Sequence, residues 1–259
     1  MSLQKWLWTA IAFCVTAGMV LAEPMRTIFT KENKFPGEMK PELSLSGGGS
    51  SFKADVADED TSSFFIAPGA RFGLTDRLDV LAEVPYVGHS EGDNDESGLG
   101  DISLGTEFLF FEDIFEYAWI IPHATAILAT GDEDKGLGKG ESQGRFGISI
   151  GTTTMDVLHW AVDGSYTMNG ANTVDSKGNS DDLVAGALSI VWDLDDRSSV
   201  LGEVQLRDDP VDTDSSTAVR GHLGLAYKVN KRLSIMGYAG SSSGMNQDFY
   251  GMGRAVVSF

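Results

Sequence analysis

Residues 74–87, LTDRLDVLAEVPYV, and residues 98–111, GLGDISLGTEFLFF, alternate apolar and polar side chains. Side chains along a β-strand point to opposite faces in turn, so each run has one apolar and one polar face. The first run opens with the short turn LTDR, whereas the residues between the runs, HSEGDNDES (89–97), are too polar for a core and are predicted to form a long loop. This alternation of short and long connections recurs along the chain.

Further segments of this kind follow one another along the rest of the sequence. Segments of about ten alternating residues separated by turn residues are the signature of a membrane β-barrel. A sheet in hydrocarbon cannot leave its edges unpaired, so it is expected to close, with its polar row facing the lumen. The predicted fold is all-β, a closed antiparallel transmembrane β-barrel of about twelve strands with short periplasmic turns and long acidic extracellular loops. The predicted strands are 41–52, 64–74, 78–86, 102–110, 117–130, 143–153, 157–168, 182–192, 199–207, 216–229, 233–240 and 248–259.

The N-terminal segment is predicted to direct export. Lys5 precedes a mostly apolar run that ends at Ala22 in the manner of A-x-A cleavage sites. Residues 1–22 are therefore predicted to be a cleaved signal peptide. Residues 23–40 are polar and lack a clear period, which predicts a periplasmic leader or plug-like segment. Residues 41–259 are predicted to form the barrel, located in a bacterial outer membrane.

The charge balance is strongly acidic, because 19 Lys and Arg residues stand against 38 Asp and Glu residues. Removing Lys5 with the signal peptide leaves a formal charge of about −20. Nucleic acid is a poor partner for such a chain, because phosphate contacts need Lys and Arg. The only cysteine, Cys14, lies in the predicted signal peptide, so the mature chain has no disulfide and no thiolate metal site. No cofactor is expected.

The C-terminal sequence RAVVSF lies on an alternating row that ends at Phe259. This terminus looks like the C-terminal signal of outer-membrane barrel proteins, so the last strand is predicted to engage the barrel-assembly machinery. The predicted partners are outer-membrane lipid, this assembly machinery and a small-molecule solute.

Three sequence blocks stand out between Phe64 and Ser149. They are GLTDRLDVLAEVPYV (73–87), GLGDISLGTEF (98–108) and PHATAILATGDEDKGLGKGES (122–142). Together they resemble the family described as "putative MetA-pathway of phenol degradation". Its members look like outer-membrane barrels and are commonly described as transporters in aromatic-compound catabolism. The resemblance implies an outer-membrane channel for passive passage of small solutes, including aromatic or hydrophobic compounds.

The polar face of the predicted strands carries charges of both signs. One hypothesis is a narrow conduit whose charges select solute, in which Asp79, Glu83 and Glu107 together confer cation preference. The alternative is a plugged barrel with a structural or partner-binding role, because small barrels fill with side chains. Whether residues 23–40 fold inside the barrel or trail free distinguishes the two. The candidate lumen-lining residues are Arg71, Asp79, Glu83, Asp101, Glu107, His123, Arg145, His159, Asp163, Glu203, Arg207, Arg220, His222 and Arg254.

Aromatic and large apolar residues are expected in two places. Those at the alternate strand positions that face the lumen either form an apolar track for solute or pack near a rim. Those on the outward parity fit interfacial belts. The inward set is Phe65, Leu109, Phe111, Tyr238 and Tyr250. The belt set is Trp119, Trp160, Trp192, Tyr166 and Tyr227, although Trp119 falls off the outward parity.

Enzymatic function and calcium binding are both weakly supported. Twelve-stranded barrels include an outer-membrane phospholipase that uses Ser, His and Asn, but His222 lies in RGHLG without the expected Ser after it. Neither a G-x-S-x-G motif nor a metal-ligand spacing occurs. Residues 93–98, DNDESG, match the first half of a calcium loop, but Leu104 replaces its acidic twelfth ligand. The sequence thus predicts no enzyme, and its acidic loops form a solvated rim that raises the local cation concentration.

Overall fold

The computed structural model describes residues 24–52, 61–92, 94–114, 118–171, 180–208, 217–243 and 249–259. No helix in these ranges is long and apolar enough to cross a membrane. The predicted signal peptide, residues 1–22, lies outside the described residues. The strands are β1 (Pro41–Phe52), β2 (Thr61–Gly73), β3 (Leu78–Glu83), β4 (Tyr86–Glu91), β5 (Asn94–Leu99), β6 (Ile102–Phe108), β7 (Phe111–Ile114), β8 (Ala118–Leu128), β9 (Gln143–Thr154), β10 (Leu158–Met168), β11 (Leu183–Asp193), β12 (Ser198–Asp208), β13 (Thr217–Lys228), β14 (Leu233–Ser243) and β15 (Phe249–Ser258).

All of these strands belong to one antiparallel sheet that closes on itself. β1 pairs with β2 along its whole length and with β15 on its other edge, where Leu43 lies opposite Val257. β3 and β4 are two halves of one barrel strand, as are β5 and β6, and β7 is a short addition beside β8. The structure therefore confirms the predicted closed antiparallel barrel of twelve strands. Closure pairs the strand edges around the wall, as hydrocarbon requires, and among the described strands only β5 and β7 have a single partner.

The prolines inside the barrel strands lie where a strand changes its partner. β2 pairs with β4 at its start and with β3 at its end, and Pro68 falls between these two ladders. Pro85 lies in the break between β3 and β4. β8 changes partner from β7 to β6 at Pro122. A missing N–H is tolerated at such positions because the hydrogen-bond ladder is already interrupted there.

The polar residues 89–97 were predicted to form a loop, and this prediction is wrong. They continue two barrel strands outward as the hairpin of β4 and β5. Its turn is two residues long, because Glu91 pairs with Asn94, and Gly92 adopts a φ of 60°. Two-residue hairpin turns favour this left-handed conformation. The alternation in sequence ends here because both faces of a strand can be polar once it leaves hydrocarbon.

Three of the short turns share one local hydrogen-bond design. In each turn of five residues, the N–H of the first residue donates to the carbonyl oxygen of the fifth. A side-chain oxygen of the second residue, Thr75, Asp195 or Asn230, accepts the N–H of the arginine two positions later. Backbone N–H bonds from Arg197 and Ser198 hold the pKa of the exposed Asp195 carboxyl below its usual value. Short polar side chains make such local bonds readily, which is why these residues signal turns.

The outer face of the barrel wall is apolar, as the alternation predicts. Many large apolar side chains are exposed on it, as a lipid-facing surface requires. Four of the five aromatic residues predicted for interfacial belts lie exposed on the wall. The prediction is wrong for Trp119, which is 6% exposed and packs inside the barrel with Ile121. The four exposed residues are Trp160, Trp192, Tyr166 and Tyr227.

A charge on this outer face is expected to destabilise the barrel in lipid. Leu223 lies in the middle of β13 and is 72% exposed. Leu223→Arg should lower the free energy of unfolding in lipid vesicles by about 2–4 kcal/mol, because the guanidinium must enter hydrocarbon. Urea titration of the refolded protein measures this change. Met155→Arg is the matched control, because Met155 is 84% exposed at a turn and should lose at most about 1 kcal/mol. Equal losses for both variants would contradict the assignment of this face to lipid.

Candidate functional site

The leader, residues 24–40, lies inside the barrel. We call the barrel end that carries the short turns, the start of β1 and the end of β15 the turn end. The opposite end is the loop end. The leader enters at the turn end, where Pro24 lies beside Arg197. It rises to an apex at residues 28–31 and returns to the turn end, where the N–H of Met39 donates to the end of β2. The leader thus forms a wedge inserted into one half of the lumen.

A buried carboxylate on β12 holds the apex of this wedge. The N–H groups of Ile28 and Phe29 donate to the Glu203 carboxylate at 2.6 and 3.0 Å. His222 Nε2 lies 2.9 Å from Glu203 Oε2, and His222 Nδ1 lies 3.0 Å from the Tyr250 hydroxyl. The side chains of Glu203 and His222 are both fully buried. Glu203 therefore satisfies backbone N–H groups that no strand partner reaches, which a buried irregular segment requires.

Two serines on the same side of the wall, one of them on the strand next to β12, complete the attachment of the apex. Thr30 Oγ1 lies 2.6 Å from Ser189 Oγ on β11. The N–H of Lys31 donates to Ser149 Oγ on β9 at 2.9 Å, and Ser149 donates in turn to Asp163 at 2.5 Å. The apex is therefore tied by hydrogen bonds to three strands of the wall.

The rising arm of the leader is fixed by Arg26 near the turn end. Its guanidinium donates to Glu32 at 2.8 Å, to Ser199 at 2.8 Å and to Asp193. The Tyr238 hydroxyl donates to the Arg26 carbonyl oxygen at 2.6 Å. The arginine thus joins the two arms of the leader to each other and to the ends of β11 and β12.

The returning arm meets a buried cluster of charges centred on Arg71. This guanidinium contacts Asp79 at 2.5 Å and Glu107 at 2.8 Å, and it donates to the Lys34 carbonyl oxygen at 2.8 Å. Lys31 Nζ lies 2.7 Å from the second oxygen of Glu107. The Asp79 and Glu107 side chains are at most 1% exposed. They form ion pairs with Arg71 and Lys31, and their role in cation preference stays a prediction.

Apolar packing fills the remainder of the turn end. One cluster of buried residues from β11, β12 and β13–β15 contacts Ile28 of the leader. A second cluster contains Phe35 of the leader and the inward side chains of β8 and its neighbours. The first cluster is Val191, Leu201, Ala226, Met236, Tyr238 and Val256, and the second is Phe35, Leu109, Trp119, Ile121 and Ala161. The turn end is therefore packed like a small protein core.

Open space remains on both sides of the apex. The arginine cavity, of about 280 Å³, lies between the apex and strands β8–β13 and is lined by Arg145, Arg207 and Arg220. The larger cavity, of about 420 Å³, lies towards β1–β3 and β13–β15 and is lined by Glu83 and Arg254 among others. Phe29 and Lys31 of the apex and Arg220 of the wall line both cavities. The apex therefore divides the space that a solute would have to cross.

The structure places thirteen of the fourteen candidate lumen-lining residues on the inner side of the wall. Eight of them form hydrogen bonds or ion pairs with the leader, with each other or with a neighbouring wall residue, and the other five line the two cavities. Of the first eight, His123 and Asp163 also line the arginine cavity, and Arg71, Glu107 and His222 also line the larger one. Their part in conduction stays a prediction. The first group is Arg71, Asp79, Glu107, His123, His159, Asp163, Glu203 and His222. The residues lining a cavity include Glu83, Arg145, Arg207, Arg220 and Arg254.

Two predicted inward residues lie elsewhere. The Asp101 carboxylate accepts the N–H groups of Gly131 and Lys139 at 2.9 Å each, so it fixes the loop between β8 and β9 instead of lining the lumen. Asp101 lies in the break between β5 and β6, which turns its side chain to this loop. Phe111 is 45% exposed and faces outward. The chain leaves the ladder between β6 and β7, and this break changes which alternate residues face the lumen.

The sequence interpretation missed the basic residues of the leader. Arg26 and Lys31 each form a buried or half-buried ion pair with a carboxylate. The signal that could have indicated their role is the difference in net charge between the leader and the rest of the chain. Residues 24–40 contain four basic and two acidic residues, whereas the whole chain has twice as many acidic as basic residues. A net positive segment next to an acidic barrel favours docking inside it.

Comparisons with known proteins agree with this architecture. The profile of the family described as "Putative MetA-pathway of phenol degradation" matches residues 43–256. An outer membrane channel from Pseudomonas putida F1 has a similar fold, with a TM-score of 0.70 at 14% identity over 95% of this chain and 100% of that chain. The NanC porin gives a TM-score of 0.57 at 10% identity over 84% and 98% of the two chains. The KdgM porin in complex with disordered oligogalacturonate gives 0.55 at 10% identity over 84% and 99%. No curated protein sequence matches the chain significantly.

Proposed function

Because the chain belongs to the family described as "Putative MetA-pathway of phenol degradation", whose profile spans residues 43–256, we propose that it is an outer-membrane channel for small solutes. Passage is passive and follows the solute gradient. The description of the family names phenol degradation, so aromatic compounds are among the solutes that the proposal includes.

The observation that carries the proposal is the pair of cavities beside the leader apex, inside a wall with an apolar outer face. A barrel of twelve strands is wider than one of eight, whose interior side chains just fill. The leader is attached to the wall by side-chain hydrogen bonds and ion pairs and forms no strand of the sheet. Such a segment can move without opening the barrel, and it is the part that sets the width of the path.

Orientation and export complete the proposal. The turn end faces the periplasm and the loop end faces outside, because outer-membrane barrels combine short periplasmic turns with longer outer loops. Residues 1–22 act as a cleaved signal peptide, and the last strand, ending at Phe259, engages the barrel-assembly machinery. In this orientation the leader narrows the channel from the periplasmic side.

The second candidate function is a plugged barrel with a structural or partner-binding role. The position of the leader favours it, because the wedge and its two apolar clusters fill the turn end. The two functions differ in one property. A channel requires the leader to move or to leave space for solute beside it, whereas a plugged barrel requires the leader to remain in the lumen and block it.

A reversible lock on the leader tests the proposal. Thr30 Oγ1 and Ser189 Oγ are 2.6 Å apart, and the mature chain has no cysteine, so Thr30→Cys/Ser189→Cys should form a disulfide between apex and wall. In planar bilayers the wild-type protein is expected to show discrete openings. The oxidised double variant should open several-fold less often, because its leader cannot leave, and a reductant should restore the openings.

The single variants Thr30→Cys and Ser189→Cys are the controls, since neither can form the bond within one barrel. A reductant should leave their conductance unchanged. Folding of every variant is checked by heat-modifiable migration in electrophoresis. A folded wild-type barrel that never conducts, even after removal of its leader, would contradict the channel and favour the plugged barrel.

A further inference from the structure

The arginine cavity has a charge opposite to that of the protein. The chain as a whole has a formal net charge of −19. Among the residues that the structure describes, however, the cavity is lined by four basic side chains and by one carboxylate, that of Asp163. The only other titratable side chain among its lining residues is His123, which contacts that carboxylate at 2.8 Å. The basic residues are Lys31, Arg145, Arg207 and Arg220.

The three arginines lie together on the loop-end side of the apex. Arg145 lies nine positions from the turn end of β9, and Arg220 lies eight positions from the turn end of β13. Arg207 follows the turn-end residue of β12 by nine positions. Glu203, which holds the apex, follows that same residue by only five. Strand residues rise by about 3.3 Å each, so the arginines face a solute arriving from the loop end before it reaches the wedge.

Arg220 is held in place by aromatic rings instead of by a carboxylate. Its guanidinium carbon lies 4.2 Å from the centroid of the Tyr250 ring and 5.4 Å from that of Phe29. Its Nε is buried without a hydrogen-bond partner among the described residues. No described carboxylate lies within ion-pair distance of this side chain. Stacking fixes the plane of a guanidinium and leaves its edge free to donate.

Arg145 also has donor capacity to spare. Its Nε donates to Thr167 Oγ1 at 3.2 Å, and within the described chain no carboxylate forms an ion pair with it. The nearby Asp163 is already engaged, because it accepts a hydrogen bond from Ser149 and contacts His123. A guanidinium has five N–H donors, so most of those on Arg145 are not used by the contacts found.

Lys139 adds a further cation at the loop end of the barrel. This residue belongs to the loop between β8 and β9, and its ammonium donates to the Ala171 carbonyl oxygen. Burial, and to a smaller extent the positive charge of Arg207, lower the pKa of the Lys139 ammonium, while Glu141 opposes this effect. Cations gathered in this way repel each other, and an anion between them relieves the repulsion.

We propose that the arginine cavity binds a small carboxylate anion, which makes this anion class the solute of the channel. Guanidinium groups bind carboxylates through paired N–H···O bonds, so Arg145 and Arg220 are the expected contacts. The volume of about 280 Å³ lies just below the range of roughly 300–1,000 Å³ for small-molecule sites, which suits a small ligand. Phe29 and Leu183 supply an apolar side for the body of the ligand. The assignment of the solute rests on the proposed channel function, whereas the binding site does not.

Direct binding to the folded barrel is the first test. Benzoate is titrated calorimetrically into the full-length mature protein in detergent at low salt, with empty micelles as the blank and neutral benzyl alcohol as the matched uncharged probe. We expect benzoate to bind at least about tenfold more tightly than benzyl alcohol, since a hydrogen bond to a charged group corresponds to about a tenfold change in affinity. Equal affinity for the two probes would overturn the proposal.

Single substitutions then locate the site. Arg145→Gln and Arg220→Gln should each weaken benzoate binding by about tenfold or more, and Arg145→Lys should give an intermediate loss because it keeps the charge and loses the paired donors. Arg77→Gln is the control, because Arg77 lies at the opposite barrel end with its side chain 55% exposed. It should leave benzoate binding unchanged. Unchanged binding in both cavity variants, with heat-modifiable migration showing a folded barrel, would overturn the proposal.

Ion selectivity separates the site from the channel function. In a potassium chloride gradient the wild-type reversal potential should indicate anion preference, and Arg145→Gln/Arg220→Gln should shift it towards the cation value. If the protein binds benzoate through these arginines but never conducts, the site stands and the channel function fails. If it conducts with cation preference and the double variant leaves the reversal potential unchanged, the proposal of an anionic solute fails and the channel function stands.

Discussion

Deletion of residues 24–36 should raise the single-channel conductance of the refolded barrel several-fold. The deletion removes the wedge and the leader's contributions to both apolar clusters, so the two cavities merge with the turn end. It also removes three of the four basic residues of the leader and uncovers Glu107 and Glu203. The open pore should therefore shift towards cation preference. Planar-bilayer recording in a potassium chloride gradient measures both changes.

Asn33→Ala is the control for this deletion. Asn33 is part of the leader, but its single described side-chain contact is an exposed hydrogen bond to Glu112 at 2.9 Å. Its loss should leave conductance within the range of the wild-type protein. A deletion variant that is folded and conducts like the wild type would show that the leader does not limit the path, and would remove the physical basis for a gate at the turn end.

Arg71→Met should destabilise the barrel by about 3–5 kcal/mol, because it leaves buried carboxylates without their cation. Arg71 contacts Asp79 and Glu107 and lies 3.8 Å from Glu42, and none of these side chains is more than 5% exposed. Lys31 reaches only Glu107, so it cannot compensate for the loss. Urea unfolding in lipid vesicles measures the change in the free energy of unfolding.

Arg77→Met is the matched substitution for this experiment. Arg77 lies close by in the turn between β2 and β3, but its ion pair with Glu112 spans 3.6 Å and both side chains are at least 39% exposed. An exposed pair of this kind contributes at most about 1 kcal/mol. If Arg71→Met costs no more than Arg77→Met, the buried cluster does not stabilise the fold, and its carboxylates are protonated or hydrated instead.

These two results would also decide how the lumen charges are used. The sequence hypothesis gave Asp79, Glu83 and Glu107 a common role in cation preference. In the structure, Asp79 and Glu107 neutralise Arg71 and Lys31 beneath the leader, and Glu83 and Glu107 both line the larger cavity. The cations that lack such partners, Arg145 and Arg220, line the path instead. A strongly acidic protein can therefore contain a basic cavity, because Asp163, the one described carboxylate that lines it, is already bound to Ser149 and His123.

The amino-acid sequence by itself determined the wall of the barrel. A strand has a period of two, so residues such as Val80 and Asp79 must face opposite sides, and this holds whatever the neighbouring strands are. Short turns were readable for the same local reason, because Thr75, Asp195 and Asn230 bond to a backbone N–H only two positions away. The twelve strands and the closure followed from these local signals, and the family followed from the resemblance of three sequence blocks.

Only the tertiary structure decided what the lumen contains. Glu203 meets the backbone of residues 28–30 across more than 170 positions of sequence, and no local pattern encodes such a contact. The same holds for partner changes at Pro68 and Pro122, which depend on where neighbouring strands end. Parity identified which charges face inward, but it could not identify which of them would be paired. Pairing depends on distances between strands and on the leader, and these are fixed only when the sheet closes around it.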